Sequence, residues 1–344
     1  MARTSTGEMR ALVAQSSAAE LATVPMPALR DGFVLVRVTH ALVTPFERES
    51  LRGLAAAQAL GDGEGGADAQ RILGTSFVGI VEDASRGGSA APARGTRVAV
   101  QPVFSCGICE RCDSGVGIHC LARSVAGLDS AIGGLAEFAA VPAASCVEIP
   151  PSLDEERASS AVALARAIEA VRRGGIEGRS YVSVLGDDLF AVLAALVAVE
   201  ENPLARLVAG REATLAVAAR YGIRHRALGE VGRRGDQELV IDMTGSPETI
   251  GAACRMVGPR GHVVVGGISA GAPVAVDLSH LALDEIEMFG SGFGELASAL
   301  DQLARARIDP SALLSRRVPL ADAARAIPML AEPGVFSVLV RVER

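Results

Sequence analysis

Lysine is absent from this chain, whose 33 basic residues are all arginine. Schiff-base chemistry, a P-loop lysine and a lysine general base are therefore excluded. Tryptophan is missing too, and aromatics are only 3% of the residues, so buried cores must be made of Ala, Val and Leu. No apolar run approaches a membrane span, because Arg, Asp or Glu interrupts each one. No basic cluster tracks a helix or a loop, and the net charge is −7. Both features argue against a nucleic-acid partner. The opening stretch MARTSTGEMRALVAQ has no apolar segment of the secretory kind, which leaves the cytoplasm as the expected location.

What is present suggests two domains. The chain has 344 residues, of which 49% are hydrophobic, enough for two cores. Up to about residue 150 the runs MRALVAQ, GFVLVRVTHALV, FVGIVEDA, GTRVAVQPV and LAEFAAVPAASCVEI alternate apolar and polar residues and read as strands. Within this part, 55–70 is small and Gly-rich and predicts a mobile loop. From about residue 152 the texture changes. SLDEERASSAVALARAIEAVRR reads as one helix, capped by Ser152 with Glu155 three residues on. The apolar strands SYVSVLG, ARLVAG, ELVIDMTG and HVVVGGI then alternate with the helices LFAVLAALVAVEE, EATLAVAARYG and PETIGAACRMVG. Such alternation gives βαβ units and a parallel sheet. Two further helices, ELASALDQLARARID and ADAARAIPML, lead to a last strand, SVLVRV.

Cys106, Cys109, Cys112 and Cys120 fall in a C-x2-C-x2-C-x7-C pattern. In a cytosolic chain such close thiols bind metal rather than form disulfides. Four thiolates complete a tetrahedral Zn2+ and leave no open position for substrate. One structural zinc is the expectation. Cys146 and Cys254 read as small buried residues on a strand and a helix. His40, His225, His262 and His280 have no ligand spacing and read as turn or strand residues. His119 lies beside a zinc lobe that is already complete.

The order of elements, with the segments GTRVAVQPVFSCGICERC, GGLAEFAAVPA, VIDMTGSPETIGAACRMVGPRGHVVVGG and IDPSALLSRRVPLADAARAI, resembles the zinc-containing medium-chain dehydrogenase/reductases: the alcohol, polyol and threonine dehydrogenases. The resemblance implies an α/β protein of two parts. Residues 1–176 and 293–344 would form a GroES-like β-rich domain with the zinc lobe at 104–122. Residues 177–292 would form a Rossmann-like, doubly wound parallel-sheet domain. It further implies a homodimer or homotetramer paired through edge strands of the Rossmann-like sheets, with which HVVVGGI and APVAVDL are compatible.

The resemblance also marks what this chain has lost. The family's first catalytic zinc ligand, a Cys, corresponds to Thr44. The His and the following Glu of its GHExxG stretch correspond to Thr75 and Ser76. A later acidic or Cys ligand corresponds to Val162, and the relay hydroxyl to Phe46. Neutral hydroxyls are poor zinc ligands and valine is none, so no catalytic zinc is expected. Glu47 keeps an acid where the family has Asp, and Glu49 sits near where some members place a relay His; Glu47, Arg48 and Glu49 nonetheless read as a solvated charged turn, and Arg166 and Glu169 as an ordinary helix face. The phosphate loop, GxGxxG in the family, is Gly186, Asp187, Asp188, Leu189, Phe190 and Ala191 here. At about 4 Å and a near-surface dielectric, each carboxylate–phosphate contact costs on the order of several kcal/mol. Gly210 and Arg211, after the second βαβ strand, favour the 2′-phosphate of NADP(H), whereas the loop opposes any dinucleotide and carries more weight. The expectation is a catalytically degenerate protein serving as scaffold, as partner of an active homologue, or as binder of a small ligand. The alternatives are a zinc-independent NADPH oxidoreductase acting on a carbonyl or activated double bond, and non-redox chemistry by Glu47, Glu49, Arg166 or Glu169.

Overall fold

The computed structural model describes residues 7–15, 18–60, 71–232, 235–269 and 273–343. The chain forms two compact units, Met1–Val162 with Leu296–Arg344, and Ala163–Glu295.

The first unit is built on the strand Phe33–Val43, whose residues alternate in burial along its first half. It pairs antiparallel with Ser76–Asp83, with Phe138–Pro142 and with the C-terminal strand Val338–Arg341. The last pairing brings the chain's end back into the first unit. Cys146–Glu148, Arg97–Val100 and Arg316–Pro319 complete a seven-stranded sheet. Leu12, Val36, Phe77, Leu135 and Val340 share its aliphatic core. Gly74 turns the chain into the Ser76–Asp83 strand at φ +105°. A side chain there would strain the backbone and meet Leu135 N at 2.5 Å. Gly134 N and Leu135 N donate to the carbonyls of Gly74 and Leu73 at 2.8 and 2.9 Å, which fixes the segment carrying Thr75.

The second unit is a six-stranded parallel sheet. Its order is Arg224–Ala227, Arg206–Ala209, Val182–Leu185, Gln237–Asp242, Val257–Val265 and Glu287–Gly290. In chain order this reads 3-2-1-4-5-6, the doubly wound Rossmann arrangement. Strands buried on both faces need no alternation, and Val182–Leu185 is buried throughout. The helix Leu189–Glu201 is buried from Leu189 through Ala195, as expected of a helix that is apolar all round.

Several expectations are corrected. The helix read from Ser152 is two helices, Glu155–Ala158 and Ala161–Gly174. Its cap is Asp154, whose carboxylate accepts from Arg157 N at 2.9 Å. Ser159 and Ser160 break it, their hydroxyls donating to the carbonyls of Glu156 and Arg157, a competition with the helical ladder open to serine. Residues 55–60 belong to the helix Pro45–Leu60 rather than to a loop, and 61–70 lie outside the described residues. Five strands were not expected: Arg224–Ala227, Glu287–Gly290 and Arg316–Pro319, and the two-residue strands Arg71–Ile72 and Ser124–Val125. The stretch HVVVGGI lies in the strand Val257–Val265, which is interior to its sheet, and Glu287–Gly290 is the edge beyond it. Residues 273–277 of APVAVDL form no strand.

Candidate functional site

In the first unit the four lobe cysteines converge. Their sulfurs lie 3.5 Å apart for Cys109–Cys112 and for Cys106–Cys120, 3.8 Å for Cys109–Cys120 and 3.9 Å for Cys106–Cys112. A tetrahedron with Zn–S bonds of 2.3 Å requires S···S of about 3.8 Å, so the donor set and its spacing fit zinc. Burial raises the Cys112 thiol, but bonds from Cys109 Sγ, Ser105 and the backbone of Gly107 and Cys109 outweigh it and bring it to about 6. The backbone of Cys106 is the main cause that lowers Cys120. Amide donors around the sulfurs favour thiolate, the form that binds metal. Gly107 and Gly115 make the turns at φ +75° and +78°. Among the described residues this is the only grouping of three or more Cys, His, Asp or Glu ligand atoms that could hold a metal ion.

The positions matching the family's catalytic ligands form something else. Thr44 precedes the helix Pro45–Leu60, and its Oγ1 accepts from Phe46 N at 3.2 Å. Glu47 reaches back: its Oε2 accepts from Thr44 N and from Thr44 Oγ1, each at 2.8 Å. With Pro45 at the first helical position, T-P-F-E has the spacing of a capping box and makes its return half, Glu47 to Thr44 N, while Glu47 N donates to the Thr44 carbonyl at 3.1 Å. The other oxygen, Oε1, accepts from Thr75 N at 3.0 Å. Glu47 is only 1% exposed, so the expected solvated turn is wrong there; the carboxylate is buried because it satisfies three donors on two segments. Glu49 is also buried, held by Arg48 Nε at 3.1 Å and Arg52 Nη1 at 2.8 Å. Thr75 Oγ1 is buried with no hydrogen-bond partner among the described residues. Ser76 Oγ donates to the Ser159 carbonyl at 2.7 Å. Phe46 and Val162 are buried and apolar. The structure thus joins Thr44 and Thr75 through Glu47, a residue that the T-x-x-E spacing signals.

In the second unit Gly186 ends the first βαβ strand at φ +141°, and a Cβ there would meet Thr244 Oγ1 at 2.7 Å. Asp188 caps the helix Leu189–Glu201, its Oδ1 accepting from Ala191 N at 3.1 Å. Asp187 spans to the end of the second strand. Its Oδ2 accepts from Gly210 N at 2.9 Å and its Oδ1 from Arg211 N at 2.6 Å. Both carboxylates are therefore engaged with backbone amides. Arg166 does not lie on an ordinary helix face: it is buried, donates to the Gly266 carbonyl at 2.9 Å, and stacks over Phe190 and Phe293 at 4.8 and 5.3 Å. Glu169 pairs with Arg172 at 2.7 Å as a helix surface would have it. Asp242, at the end of the fourth strand, was not singled out from sequence. It is fully buried, and desolvation raises it against bonds from the amides of Thr244 and Gly245.

His280 lies on a helix, where its ring nitrogens contact Asp284 at 2.8 Å and the Cys254 carbonyl at 2.9 Å. His40 faces Glu155 at 3.4 Å. Cys146 is half-buried rather than buried, and burial pushes its thiol up to about 12.

Residues 30–151 match the family model of the alcohol dehydrogenase GroES-like domain. The starvation-sensing protein RspB of Escherichia coli K12 is 27% identical over 271 residues, 75% of this chain and 79% of RspB. The sorbitol dehydrogenase of Bombyx mori is 25% identical over 265 residues, 72% of this chain and 76% of that enzyme. Among solved structures, a thermostable alcohol dehydrogenase from Pyrobaculum aerophilum with cobalt and zinc bound superposes with a TM-score of 0.82 at 26% identity, covering 97% of this chain and 100% of that one. A protein put forward as a zinc-binding dehydrogenase from Sinorhizobium meliloti 1021, bound to NADP, shares the fold with a TM-score of 0.83 at 24% identity, covering 97% of this chain and 99% of that one.

Proposed function

This chain is a member of the medium-chain dehydrogenase/reductase family, and we propose that it has kept the family's fold and zinc lobe while giving up zinc-dependent alcohol dehydrogenation. Positions 44 and 75 carry the reading: the resemblance implies Cys and His ligands there, and this chain has Thr44 and Thr75, tied together by the buried carboxylate of Glu47. No thiolate or imidazole stands at either. Phe46 and Val162 supply no donor where a relay hydroxyl and a further ligand would be. Bound by Cys106, Cys109, Cys112 and Cys120, one zinc would cross-link the lobe, with every coordination position taken by sulfur. The engagement of Asp187 and Asp188 with backbone amides supports the loss of dinucleotide binding. The protein would then serve as a scaffold, as a partner of an active homologue, or as a binder of a small ligand, in the cytoplasm and as a homodimer or homotetramer. The exposed edge strand Glu287–Gly290 is the surface we assign to sheet pairing.

A second reading, a zinc-independent NADPH oxidoreductase acting on a carbonyl or activated double bond, has Gly210 and Arg211 in its favour. Their place after the second strand suits a 2′-phosphate, and the Sinorhizobium neighbour is bound to NADP. Metal analysis followed by titration with NADPH and NADH decides between the two. One zinc per chain and no cofactor binding is the expected result. Micromolar NADPH binding with one zinc establishes the second reading, and two zincs per chain overturn the ligand assignment itself.

A further inference from the structure

We propose that Cys106 is a modification site: its sulfur is where a peroxide oxidises the zinc lobe, joining Cys106 to Cys120 in a disulfide and releasing the ion. The inference rests on the reading of Cys106, Cys109, Cys112 and Cys120 as one zinc site.

The four ligands are not equally placed. Cys106 is exposed, Cys109 and Cys112 are half-buried, and Cys120 is buried. Cysteine oxidation follows thiolate character and access to solvent. A zinc site holds all of its sulfurs as thiolates, so here access separates them and the exposed one reacts first. Gly107, the next residue, has open space where a side chain would stand. Ile108 beyond it is 85% exposed, so an oxidant meets no obstacle on that side. Cys120 Sγ lies 3.5 Å from Cys106 Sγ, and Cys112 Sγ lies 3.9 Å away. Of these two, Cys120 is the nearer partner. Outside the lobe, burial raises the thiols of Cys146 and Cys254 and leaves neither as a competing thiolate.

The chemistry balances with a peroxide, ROOH, as oxidant. The Cys106 thiolate takes OH from the peroxide as the O–O bond breaks, giving Cys–SOH and RO−. The Cys120 thiolate then attacks that sulfur, forms the S–S bond and expels hydroxide. Alkoxide and hydroxide each take a proton from solvent. Two thiolates, one peroxide and two protons thus give one disulfide, one alcohol and one water. Cys109 and Cys112 alone do not complete a tetrahedral site.

The lobe has no apolar core to fall back on. Between residues 105 and 124 Cys120 is the only buried residue, and the short helices Glu110–Asp113 and Gly117–His119 bury none. Its order depends on the metal ligands. Its base does not: Val103–Phe104 pairs with Ser124–Val125, and Phe104 belongs to the core of the large sheet. Oxidation therefore unfolds the lobe and spares the sheet, which makes 105–124 a local redox switch.

The zinc-loaded full chain is to be treated with hydrogen peroxide beside a zinc-indicator dye, and the products alkylated and mapped by peptide mass spectrometry. One zinc per chain should be released together with a Cys106–Cys120 disulfide, with far-UV circular dichroism of the strands retained. Dithiothreitol and zinc should restore the lobe. Cys106→His and Cys109→His then separate the ligands. Three cysteines and one histidine still make a zinc site, but only the first variant removes the exposed thiolate. Release should slow on the order of tenfold in Cys106→His and stay close to wild type in Cys109→His. Equal slowing in both, a first disulfide that omits Cys106, or oxidation of Cys146 or Cys254 with zinc retained overturns the proposal. If neither variant holds zinc, the disulfide map of the wild type decides. A chain without zinc before peroxide is added fails the zinc reading itself, whereas a chain that holds zinc and keeps it fails this proposal alone.

Discussion

Replacing Glu47 separates a structural clasp from a retained catalytic acid. The carboxylate is 1% exposed and accepts three hydrogen bonds, from Thr44 N, Thr44 Oγ1 and Thr75 N. In Glu47→Ala all three donors lose their acceptor inside the first unit. Bonds to a charged group contribute about 1.5–3 kcal/mol each, and orphaned buried donors cost about 1–3 kcal/mol. The sum is not additive, and a loss of about 3–5 kcal/mol is expected. Glu47→Gln is the sharper test. If its oxygen faces Thr44, its NH2 confronts Thr75 N. If the amide flips, the Thr44 hydroxyl can turn to accept but Thr44 N then faces the NH2. Either way one buried amide is stranded, at about 1–3 kcal/mol. Urea unfolding of the zinc-loaded protein, followed by far-UV circular dichroism, measures the loss. Hydrogen exchange at the Thr44 and Thr75 amides localises it. A residue kept for catalysis at the expense of stability would behave oppositely, its Gln variant being neutral or more stable. A Gln variant within about 0.5 kcal/mol of wild type, with both amides still protected, would refute the clasp.

Three further outcomes are expected. Cys112→Ser should lower the zinc count from one per chain towards zero and make the lobe sensitive to proteolysis, since three thiolates leave the tetrahedron open; full zinc occupancy in this variant would contradict the assignment. Glu156 is held below the usual carboxylate range by hydrogen bonds from Arg317 and Arg341. This stabilisation is present above pH 4.5 and is lost as pH falls through the lowered value, so Glu156→Gln should cost about 1 kcal/mol at pH 7 after screening, and nothing at the acid end, in pH-dependent unfolding. Gly134→Ala would drive a methyl group into the Phe77 ring, and thermal unfolding should show a loss of about 1–3 kcal/mol from overpacking.

Strands were legible where alternation was strong, as in Phe33–Val43, and the zinc lobe was legible because thiolate spacing is itself the signal. The longer strands that sequence did not reveal are RHRA, EMFG and RRVP, and each stands at an edge of its sheet. An edge strand has a partner on one side only and gains from charge that discourages further pairing. Such a strand therefore carries the composition of a loop. The cap at Asp154 was missed for a different reason: Ser152 and Asp154 are both good caps, and only the Asp154 carboxylate closes on an amide three residues on. Glu47 is the instructive case. Its capping-box spacing is local and readable, whereas its burial depends on Thr75, 28 residues away. Three consecutive charged residues look solvated until that partner is known.

On the proposed reading, the two degenerate sites share one local feature. An anionic ligand satisfies backbone N–H donors, and a site that gives it up must find them another acceptor; a metal cation satisfies no N–H donor. Buried donors without acceptors cost about 1–3 kcal/mol each, a large share of a domain's stability of about 5–15 kcal/mol. In this chain side-chain carboxylates take up backbone donors at both places. Glu47 accepts from the amides of Thr44 and Thr75 in the first unit, and Asp187 and Asp188 accept from those of Gly210, Arg211 and Ala191 in the second. All five amides thus have an acceptor within the chain. It also means that Cys and His restored at positions 44 and 75 would be held in place by the bonds from Glu47 to both backbone amides, which weakens any second metal site they form. A triple variant, Thr44→Cys, Thr75→His and Glu47→Asp, should bind a second zinc more tightly than the double variant with Glu47 intact, because the shorter acid releases the Thr75 position. Equal second-zinc affinity in the two would show that Glu47 is a bystander and that the missing ligands alone explain the loss.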